Sequence, residues 1–393
     1  MRIVVIAACP FPAPRGSPIR ALRTAQALAE LGHTVDIVTY HLGNSTAMPQ
    51  IDGLLVHRIP TVGFYKKVSP GPSLSKLAIL DPLLVRETLR VGKRQKPDVL
   101  YAHHYEGLLV GLAIRRRLNC PVIYDAHTTL ETELSCYFSR TWRTVAQRIG
   151  SRLDTALPKR ADHIVAVTEA IAARLRPHLV QNRGLSVVSN GVEIDHFTKT
   201  QWRPNTDDNR SKNVIFTGNM APYQGVELLL EAFASLRRRR SDVRLRIVTS
   251  DDFGRYRAAT RKLDLVADID VVSSKFDSLP DELAGADVAV NPRVAGPGIP
   301  QKLLNYMAVG MPIVSYAGTV RGLSNNEIGL AVPDGDVEAF ATAMDRLLDD
   351  RELARELGGL ARQSVMSMGD WRTTGRRLEQ VFFDVLARCV SMT

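Results

Sequence analysis

Short runs of β-branched and aliphatic residues alternate along the chain with segments in which apolar residues recur every three or four positions. The pattern predicts a strand over 2–8, a helix over 21–31 and a strand over 35–39, which is a βαβ unit. The alternation resumes with strands predicted at 99–102, 122–125, 163–167 and 186–189, and with helices near 107–117 and before residue 159. Strands that alternate with helices indicate a parallel sheet covered on both faces.

A polar stretch at 196–212, rich in turn-forming residues, interrupts this pattern and is predicted to be a linker. Beyond it the alternation starts again, and the chain after residue 336 has a helical pattern. The strands predicted there are 213–217, 245–249, 269–272, 288–291 and 313–315, and the helices are 226–237 and 301–309.

The fold class predicted from this pattern is α/β, with two doubly wound domains. The first domain is predicted over 1–195, the linker over 196–212, the second domain over 213–368, and a helix over 369–393 that crosses back to the first domain. Ligands of open α/β sheets bind outside the carboxyl ends of the strands, so we expect a ligand cleft between the two domains.

Composition narrows the class of protein. Apolar residues make up 45% of the 393 positions and charged residues 23%, which excludes disorder as the main state. The longest uncharged apolar run, 107–114, falls far short of the roughly 20 residues that cross a bilayer. Four cysteines (Cys9, Cys120, Cys136 and Cys389) lie far apart without the paired spacing of a zinc site or disulfide framework. We therefore expect a reducing, cytoplasmic location.

The positive charge is concentrated in the first half of the chain. Residues 1–200 hold 26 Lys and Arg against 15 Asp and Glu, for a net charge of +11, whereas residues 201–393 hold 25 against 26. This asymmetry favours an anionic partner for the first domain, either an anionic membrane surface or an acidic acceptor. A plain solvated surface is the alternative. Nucleic acid is not expected, because no basic run is interleaved with aromatic residues.

Four segments, in order along the chain, resemble the family 4 glycosyltransferases of the GT-B fold. They read CPFPAPRGSPIRALRTAQALAELGHTVDIVTY, SNGVEIDHF, FTGNMAPYQGVELLLEAF and PGIPQKLLNYMAVGMPIVS. The resemblance implies two Rossmann-like domains that face each other across a cleft, with C-terminal helices packing back. It also implies a retaining transfer of a sugar from a nucleotide-sugar donor to a glycan or lipid-linked acceptor, as in cell-envelope or exopolysaccharide assembly. It does not identify the sugar.

Members of this family usually carry an Arg and a Lys for the donor phosphates in the βα loop at 218–225. Asn219 and Gln224 replace them here, so the charge must come from elsewhere. Arg293 and Lys302 are the cations we predict for the diphosphate. A Lys in a first helical turn opposes the helix dipole, which a bound phosphate would offset. A Lys that points to solvent is the alternative.

Other donor contacts are assigned by the same resemblance. The family's pair of Glu residues, separated by seven positions, falls on Pro297 and Asn305, and Asn305 retains the hydrogen-bonding capacity to bind the ribose. We expect Gly218 and Asn219 to offer backbone and amide groups. Backbone amides at Gly298 and Ile299 are candidates for the donor sugar, although a plain turn explains them equally well. Gly16 and Ser17 are placed to bring amides near a phosphate.

In the first domain, His127 directly follows a predicted buried strand, where the resemblance places the His that contacts the donor sugar near the reacting carbon. A purely structural hydrogen bond is the alternative for any isolated His. Six further residues at strand and helix ends are weaker candidates for the acceptor side: Arg20, as an anion contact, and His103, His104, Glu106, Asp125 and Glu131. Glu131 could equally cap the next helix.

Three histidines beside several carboxylates also raise the question of a metal site. The helical H-E-x-x-H spacing is absent, and members of the family generally work without a metal, so we predict no metal and no other cofactor. Two rival functions remain at this point: a sugar-nucleotide epimerase of similar architecture, and a non-catalytic nucleotide-sugar-binding homologue. The loss of the usual Glu, Arg and Lys motivates the second.

Overall fold

A computed structural model describes residues 1–13, 16–43, 51–66, 73, 75–135, 140–179, 184–204, 207, 210–273, 275–294, 299–320 and 328–391. The chain folds into two compact units. The first unit comprises Met1–Gly191 together with Trp371–Thr393, and the second comprises Val192–Asp370.

The first unit is built on a seven-stranded sheet in the order β3-β2-β1-β4-β5-β6-β7, in which every neighbouring pair is parallel. Its strands are β1 (Arg2–Ala7), β2 (Thr34–Thr39), β3 (Leu54–Arg58), β4 (Val99–His103), β5 (Val122–Ala126), β6 (His163–Ala166) and β7 (Gly184–Val187). A parallel sheet in this order confirms the predicted doubly wound α/β class.

The helices of the first unit cover both faces of its sheet. They are α1 (Gly16–Glu30), α2 (Asp81–Gln95, preceded by a π-helical turn at Lys76–Leu80), α3 (His104–Leu118), α4 (Leu130–Ser135), α5 (Arg140–Ala156) and α6 (Glu169–Leu175), and the helix at the C-terminus, which we call α14 (Trp371–Ser391). Helix α14 packs against α1 at Gly375, where an added Cβ would lie 2.7 Å from that of Ala27.

Alternation along the central strands builds two core layers in the first unit. Ile3 and Val5 of β1 join a cluster with Leu378 and Phe382 of α14, whereas Val4 lies in the cluster on the opposite face. Successive side chains of a strand point to opposite faces, so a strand apolar at every position is buried on both sides.

The second unit has a six-stranded parallel sheet in the order β10-β9-β8-β11-β12-β13. Its strands are β8 (Lys212–Thr217), β9 (Val243–Val248), β10 (Ile269–Val272), β11 (Val288–Asn291), β12 (Ile313–Tyr316) and β13 (Leu330–Val332). Its helices are α7 (Ile194–Phe197), α8 (Val226–Arg239), α9 (Arg257–Lys262), α10 (Leu279–Ala284), α11 (Gln301–Val309), α12 (Val337–Asp349) and α13 (Arg351–Met368). A single core cluster fills this unit.

The segment predicted as a linker begins inside the second unit. Phe197 and Trp202 are buried in its core, and the Trp202 indole donates a 2.7 Å hydrogen bond to the carbonyl of Ala286. Two isolated aromatic anchors in a polar stretch leave no periodic signal, which is why the pattern indicated only a linker. The edge strands β3 and β13 were also missed, although the similarly short and partly buried edge strands β7 and β10 were predicted. Strand β13 has only three residues, and β3 ends in His57 and Arg58.

No helix in the described ranges combines the length and the apolar content that crossing a membrane requires.

Candidate active site

In each unit the strand order reverses between two neighbouring central strands. The loops that follow these two strands run outward in opposite directions from the carboxyl end of the sheet. In the second unit the reversal lies between β8 and β11, the neighbours from which the chain runs outward in opposite directions. Gly218 directly follows β8, and Arg293 lies two residues beyond β11. Open α/β sheets bind their ligands at this switch point.

Lys302 brings a cation to the switch point of the second unit. Its ammonium donates a 2.9 Å hydrogen bond to Oε1 of Gln224 and lies 3.8 Å from the centre of the Phe216 ring. No ion pair to Lys302 occurs among the described residues. Helix α11 carries Lys302 at its second position, while Gln224 ends the turn before α8. The cation thus reaches the loop position at which the resemblance predicts a Lys and the sequence has Gln224.

Two effects destabilise the positive charge on Lys302. Burial of the ammonium, and then repulsion by the Arg293 guanidinium, lower the pKa of Lys302 well below its usual value. A bound anion would act in the opposite direction, because an opposite charge nearby favours the protonated form.

Two glycines let the loop backbone approach its neighbours closely, Gly218 at Lys302 and Gly225 at Pro292. Gly218 has φ +146°, and a Cβ there would lie 2.9 Å from Nζ of Lys302. Gly225 has φ +73°, and a Cβ there would lie 2.1 Å from the carbonyl oxygen of Pro292. Glycine adopts these backbone angles without the penalty that a Cβ imposes.

The side chain of Asn219 shapes the loop. Its Oδ1 accepts a hydrogen bond from the amide of Ala221 at 3.1 Å, and its Nδ2 donates to the hydroxyl of Tyr223 at 2.9 Å. The Arg293 guanidinium lies 5.3 Å from the centre of the Tyr223 ring. Asn219 therefore holds the turn and, through Tyr223, supports Arg293, whereas we expected its amide to contact the donor.

Asn305 presents a buried polar atom beside Lys302. It lies on α11 one turn after Lys302, and its Oδ1 is buried without a hydrogen-bond partner among the described residues. The neighbouring Tyr306 hydroxyl accepts a 2.8 Å hydrogen bond from the amide of Thr217, which joins α11 to the end of β8. Ile299 packs against the core at the approach to α11. Gly298 and Pro297 lie outside the described residues.

In the first unit the switch point lies between β1 and β4. Ser17 is at the start of α1 and His104 is at the start of α3, and Nε2 of His104 lies 2.6 Å from Oγ of Ser17. His104 has φ +61°, which an L-residue with a bulky side chain adopts at a cost. Such strain at a strand-to-helix junction is typical of functional positions. Gly16 begins α1, with open space around its Cα.

A buried ion pair lies behind this junction. Nε of Arg20 donates a 2.8 Å hydrogen bond to Oδ2 of Asp125, and the Tyr101 hydroxyl donates to the same oxygen. The other two guanidinium nitrogens of Arg20 donate to Oδ1 of Asn190 and the carbonyl of Val188, each at 3.0 Å. We predicted Arg20 as a contact for a ligand anion. Its guanidinium instead forms an ion pair with the Asp125 carboxylate, and both side chains are buried.

Two histidines complete the Asp125 cluster. Nδ1 of His103 is hydrogen-bonded to Nε2 of His127 at 2.9 Å, and each of these nitrogens lies within 3.6 Å of Oδ2 of Asp125. The His104 ring lies 4.4 Å from the His127 ring, centre to centre. The structure therefore brings His103, His104, Asp125 and His127 into one cluster. The sequence predicted only that each lies at the end of a strand or in the loop after it.

The charge states of this cluster follow from burial and from Arg20. Burial raises the pKa of Asp125, but the Arg20 cation and then His127 outweigh it and hold the pKa well below its usual range. Burial lowers the pKa of His127 to about 4 and also lowers the pKa values of His103 and His104. Near pH 7 the three imidazoles are therefore neutral beside one ionised carboxylate, and His127 can donate or accept a hydrogen bond.

His103, Asp125 and His127 also offer three potential metal ligands within 4.8 Å of one another. Nδ1 of His103, Nε2 of His127 and Oδ2 of Asp125 are engaged with each other or with Arg20, whose cation would repel a metal ion at Asp125. Nε2 of His103 and Oδ1 of Asp125 are buried without a hydrogen-bond partner among the described residues. The 2.9 Å separation of the two imidazole nitrogens is a hydrogen-bond distance. Metal independence accordingly stays a prediction.

The remaining acceptor candidates divide into two environments. Glu106 pairs with Lys76 at 2.6 Å, whereas Glu131 pairs with the exposed Arg174 at 3.4 Å on the surface. Burial, and then the nearby Glu106 charge, raise the pKa of Glu133 to about 7. Lys76, Tyr101 and Asn190 were not predicted as site residues. No motif marks them, and only the tertiary structure brings them to the strand ends.

Comparison with known proteins identifies the family. The chain matches the model described as Glycosyltransferase Family 4 over residues 14–196 and the model described as Glycosyl transferases group 1 over residues 211–350. Because these matches cover most of the chain, in the order that the motifs predict, the chain belongs to family 4 of the glycosyltransferases and is an enzyme of the transferase class.

Individual relatives agree with this assignment. The chain is 26% identical over 379 residues to the D-inositol 3-phosphate glycosyltransferase of Pseudarthrobacter chlorophenolicus, across 90% of this chain and 87% of that protein. Its fold is similar to that of sucrose-phosphate synthase from Thermosynechococcus elongatus, with a TM-score of 0.84 and 19% identity over 98% and 99% of the two chains. It is also similar to Anabaena HepE, solved with UDP and glucose, with a TM-score of 0.76 and 17% identity over 98% and 100%. These likenesses confirm the GT-B fold.

Proposed function

We propose that this glycosyltransferase moves a sugar from a nucleotide-diphosphate donor, with retention of configuration, to a glycan or lipid-linked acceptor of the cell envelope. The observation that carries the proposal is the position of Lys302, whose ammonium lies against Gln224 and Gly218 at the switch point of the second unit. A cation held there without a carboxylate partner in the described residues is suited to an anionic ligand.

The donor diphosphate is the ligand that this half-site fits best. Arg293 and, once a bound anion favours its protonated form, Lys302 supply two positive charges. Oδ1 of Asn305, which is buried without a hydrogen-bond partner among the described residues, supplies an acceptor for a ribose hydroxyl. The relatives support the same ligand class, since HepE was solved with UDP and glucose. The charge that the family usually takes from the loop after β8 thus comes here from α11 and from the segment after β11.

Catalysis on this arrangement rests on positioning and on charge. As the bond from the anomeric carbon to the diphosphate breaks, negative charge develops on the departing oxygen, and the two cations stabilise it. In a same-face route the departing diphosphate accepts the proton of the attacking hydroxyl, so no protein nucleophile is required. The neutral His127 is suited to hydrogen-bond a sugar hydroxyl without competing for that proton.

The acceptor is assigned to the first unit, which carries His104, Ser17 and Glu106 at its strand ends and most of the net positive charge. The relative from Pseudarthrobacter acts, by its name, on an inositol phosphate, which is an anionic acceptor. A basic unit that handles an anionic or lipid-linked acceptor is suited to work at the inner face of an anionic membrane.

A ligand screen followed by product analysis tests this function. At 100 times its Kd, a nucleotide-diphosphate sugar should stabilise the protein by about 2.7 kcal/mol, while an unmatched nucleotide should not. Incubation with a panel of glycan and lipid-linked acceptors should then give a product with the anomeric configuration of the donor, as read by NMR. Epimerised sugar formed without an acceptor would favour the epimerase. Binding with neither transfer nor hydrolysis across the panel would indicate a binding homologue.

A further inference from the structure

Helix α5 exposes an apolar stripe on the first unit. Trp142, Val145 and Ile149 occur at spacings of three and four residues, so they share one face of the helix, and their exposed fractions are 61%, 44% and 49%. The other tryptophans of the chain, Trp202 and Trp371, are both buried. A large aromatic residue left in water beside two aliphatic residues marks a surface that contacts something apolar.

Basic residues flank this stripe. Arg148 follows Val145 by three positions and Arg152 follows Ile149 by three, so both border the apolar face, and Arg143 is also exposed. Within the part of the chain that the structure describes, none of these three arginines forms an ion pair with a carboxylate. The stripe and the arginines are called the α5 surface below.

The opposite face of α5 is fixed to the rest of the unit, so the stripe is not exposed through loose packing. Gly150 packs directly against α4, and an added Cβ at this position would lie 2.5 Å from the amide nitrogen of Glu131. Asp154 accepts hydrogen bonds from the amides of Leu130 and Glu131 at 2.9 and 3.0 Å and from the Tyr105 hydroxyl. Helix α5 is thus a rigid platform whose outward face is set by the fold.

We propose that the α5 surface docks the protein on an anionic phospholipid bilayer, with Trp142, Val145 and Ile149 in the interface and the arginines against the lipid phosphates. A helix with a basic border and a Trp-containing apolar face is suited to lie in the plane of the headgroups. The inference refines the proposed function by naming the membrane-binding surface, and it rests on that function only for its biological purpose.

The charge of the α5 surface argues against a second copy of the chain as its partner. A two-fold contact between two such helices would bring the arginines of each copy close together without a counter-charge. Three apolar side chains also cover much less than the roughly 800 Å² per partner of a stable interface. A bilayer that contains anionic lipid supplies both the apolar layer and the negative charge.

Vesicle binding of the full chain tests the inference without donor or acceptor. The probes are vesicles of phosphatidylcholine alone and of phosphatidylcholine with 30% phosphatidylglycerol, each at low and high salt, with co-sedimentation as the measurement. The emission of Trp142, the one exposed Trp, should shift to the blue on anionic vesicles only. R148Q/R152Q should weaken partitioning at least about tenfold, because each basic residue near an anionic surface adds on the order of a fivefold gain. W142S/I149S, which lacks the fluorescent reporter, is followed by co-sedimentation and should lose most of its binding to anionic vesicles.

Matched controls separate this surface from general effects of charge and hydrophobicity. R376Q/R377Q removes the same charge from exposed positions of α14, and V266S removes an exposed apolar residue of the second unit, so both should bind like the wild type. Equal binding by R148Q/R152Q and the wild type, or equal binding to neutral and anionic vesicles, would overturn the inference. Self-association lost in W142S/I149S, without vesicle binding, would overturn it in favour of a dimer. The proposed function is judged separately, by donor binding and by transfer to a soluble acceptor.

Discussion

The ammonium of Lys302 and the side-chain oxygen of Gln224 lie 2.9 Å apart although the residues are 78 positions apart in the chain. The resemblance to family 4 predicts a Lys at the loop position that Gln224 occupies. The structure thus places a Lys from α11 beside the position from which a Lys is missing.

Replacement of Lys302 should impair donor use more than folding. We expect K302A to lower transfer by at least about tenfold, which is the scale of losing one charge-assisted hydrogen bond in a cleft. Steady-state kinetics with the identified donor measures the loss. K262A, on the exposed end of α9, is the matched control and should behave like the wild type. Wild-type turnover in K302A would remove Lys302 from the site.

A Lys at position 224, in the loop after β8, should replace the positive charge of Lys302. In Q224K/K302V the cation returns to the loop after β8, and we expect donor affinity to recover to within a few-fold of the wild type, because Gln224 and Lys302 converge on the same space. Isothermal titration calorimetry of K302V, Q224K and the double variant tests this. A double variant no better than K302V would show that the two positions are not equivalent.

Donor binding should depend on pH through Lys302. Because the pKa of Lys302 is lowered well below its usual value in the free protein, the ammonium loses its proton at a lower pH than an exposed lysine does, whereas a bound diphosphate favours the protonated form. Affinity should therefore fall as the pH rises through that pKa, and binding should take up a proton. Calorimetry in buffers of different ionisation enthalpy measures the uptake. K302R, which stays charged, should flatten the profile, and a flat wild-type profile would contradict the argument.

Acid should destabilise the protein through its buried histidines. The pKa of His127 falls from 6.5 to about 4 on folding, so the unfolded chain binds more protons between these values. The contribution of neutral His127 to the free energy of unfolding should be fully present above pH 6.5. The free energy of unfolding should then decrease as the pH falls towards 4. Urea unfolding at several pH values should give a smaller slope for H127Q. H178Q, at an exposed position, should keep the wild-type slope.

His127 should also matter for transfer. H127A should lower kcat by about 10²-fold, the low end for a positioned hydrogen-bonding group, while the Kd of the nucleoside diphosphate alone stays unchanged, since that ligand is assigned to the second unit. Equal losses in kcat and in diphosphate affinity would indicate a structural rather than a substrate contact.

The Arg20–Asp125 pair should be a determinant of stability. R20M leaves the Asp125 carboxylate buried without its cation and should lower the free energy of unfolding by about 3–5 kcal/mol. R20M/D125N removes both charges and should regain a large part of that loss, as measured by urea denaturation. A loss below about 1 kcal/mol in R20M would mean that the pair is not needed for stability.

Treatment with EDTA should change neither the melting temperature nor the transfer rate if His103, Asp125 and His127 act without a metal.

Much of the architecture follows from local pattern. Both parallel sheets and the central strands follow from apolar runs and helical periodicity, because strands buried on both faces leave an unmistakable hydrophobic signal. The family follows from four motifs in order. The aromatic anchors Phe197 and Trp202 escaped detection, since an isolated apolar residue carries no period. The edge strands β3 and β13 were missed as well, because three residues in β13 and the polar end of β3 leave too short an apolar run.

The chemistry of the candidate sites was decided by contacts between distant parts of the chain. Sequence alone determined that Arg20, Asp125, Gln224 and Lys302 lie at the ends of strands or helices. Only the tertiary structure turned Arg20 inward to Asp125, 105 positions away, and brought Lys302 against Gln224. Hydrophobic periodicity is a property of neighbouring residues, whereas the partner and the burial of a charge depend on which strand ends the folded sheet brings together.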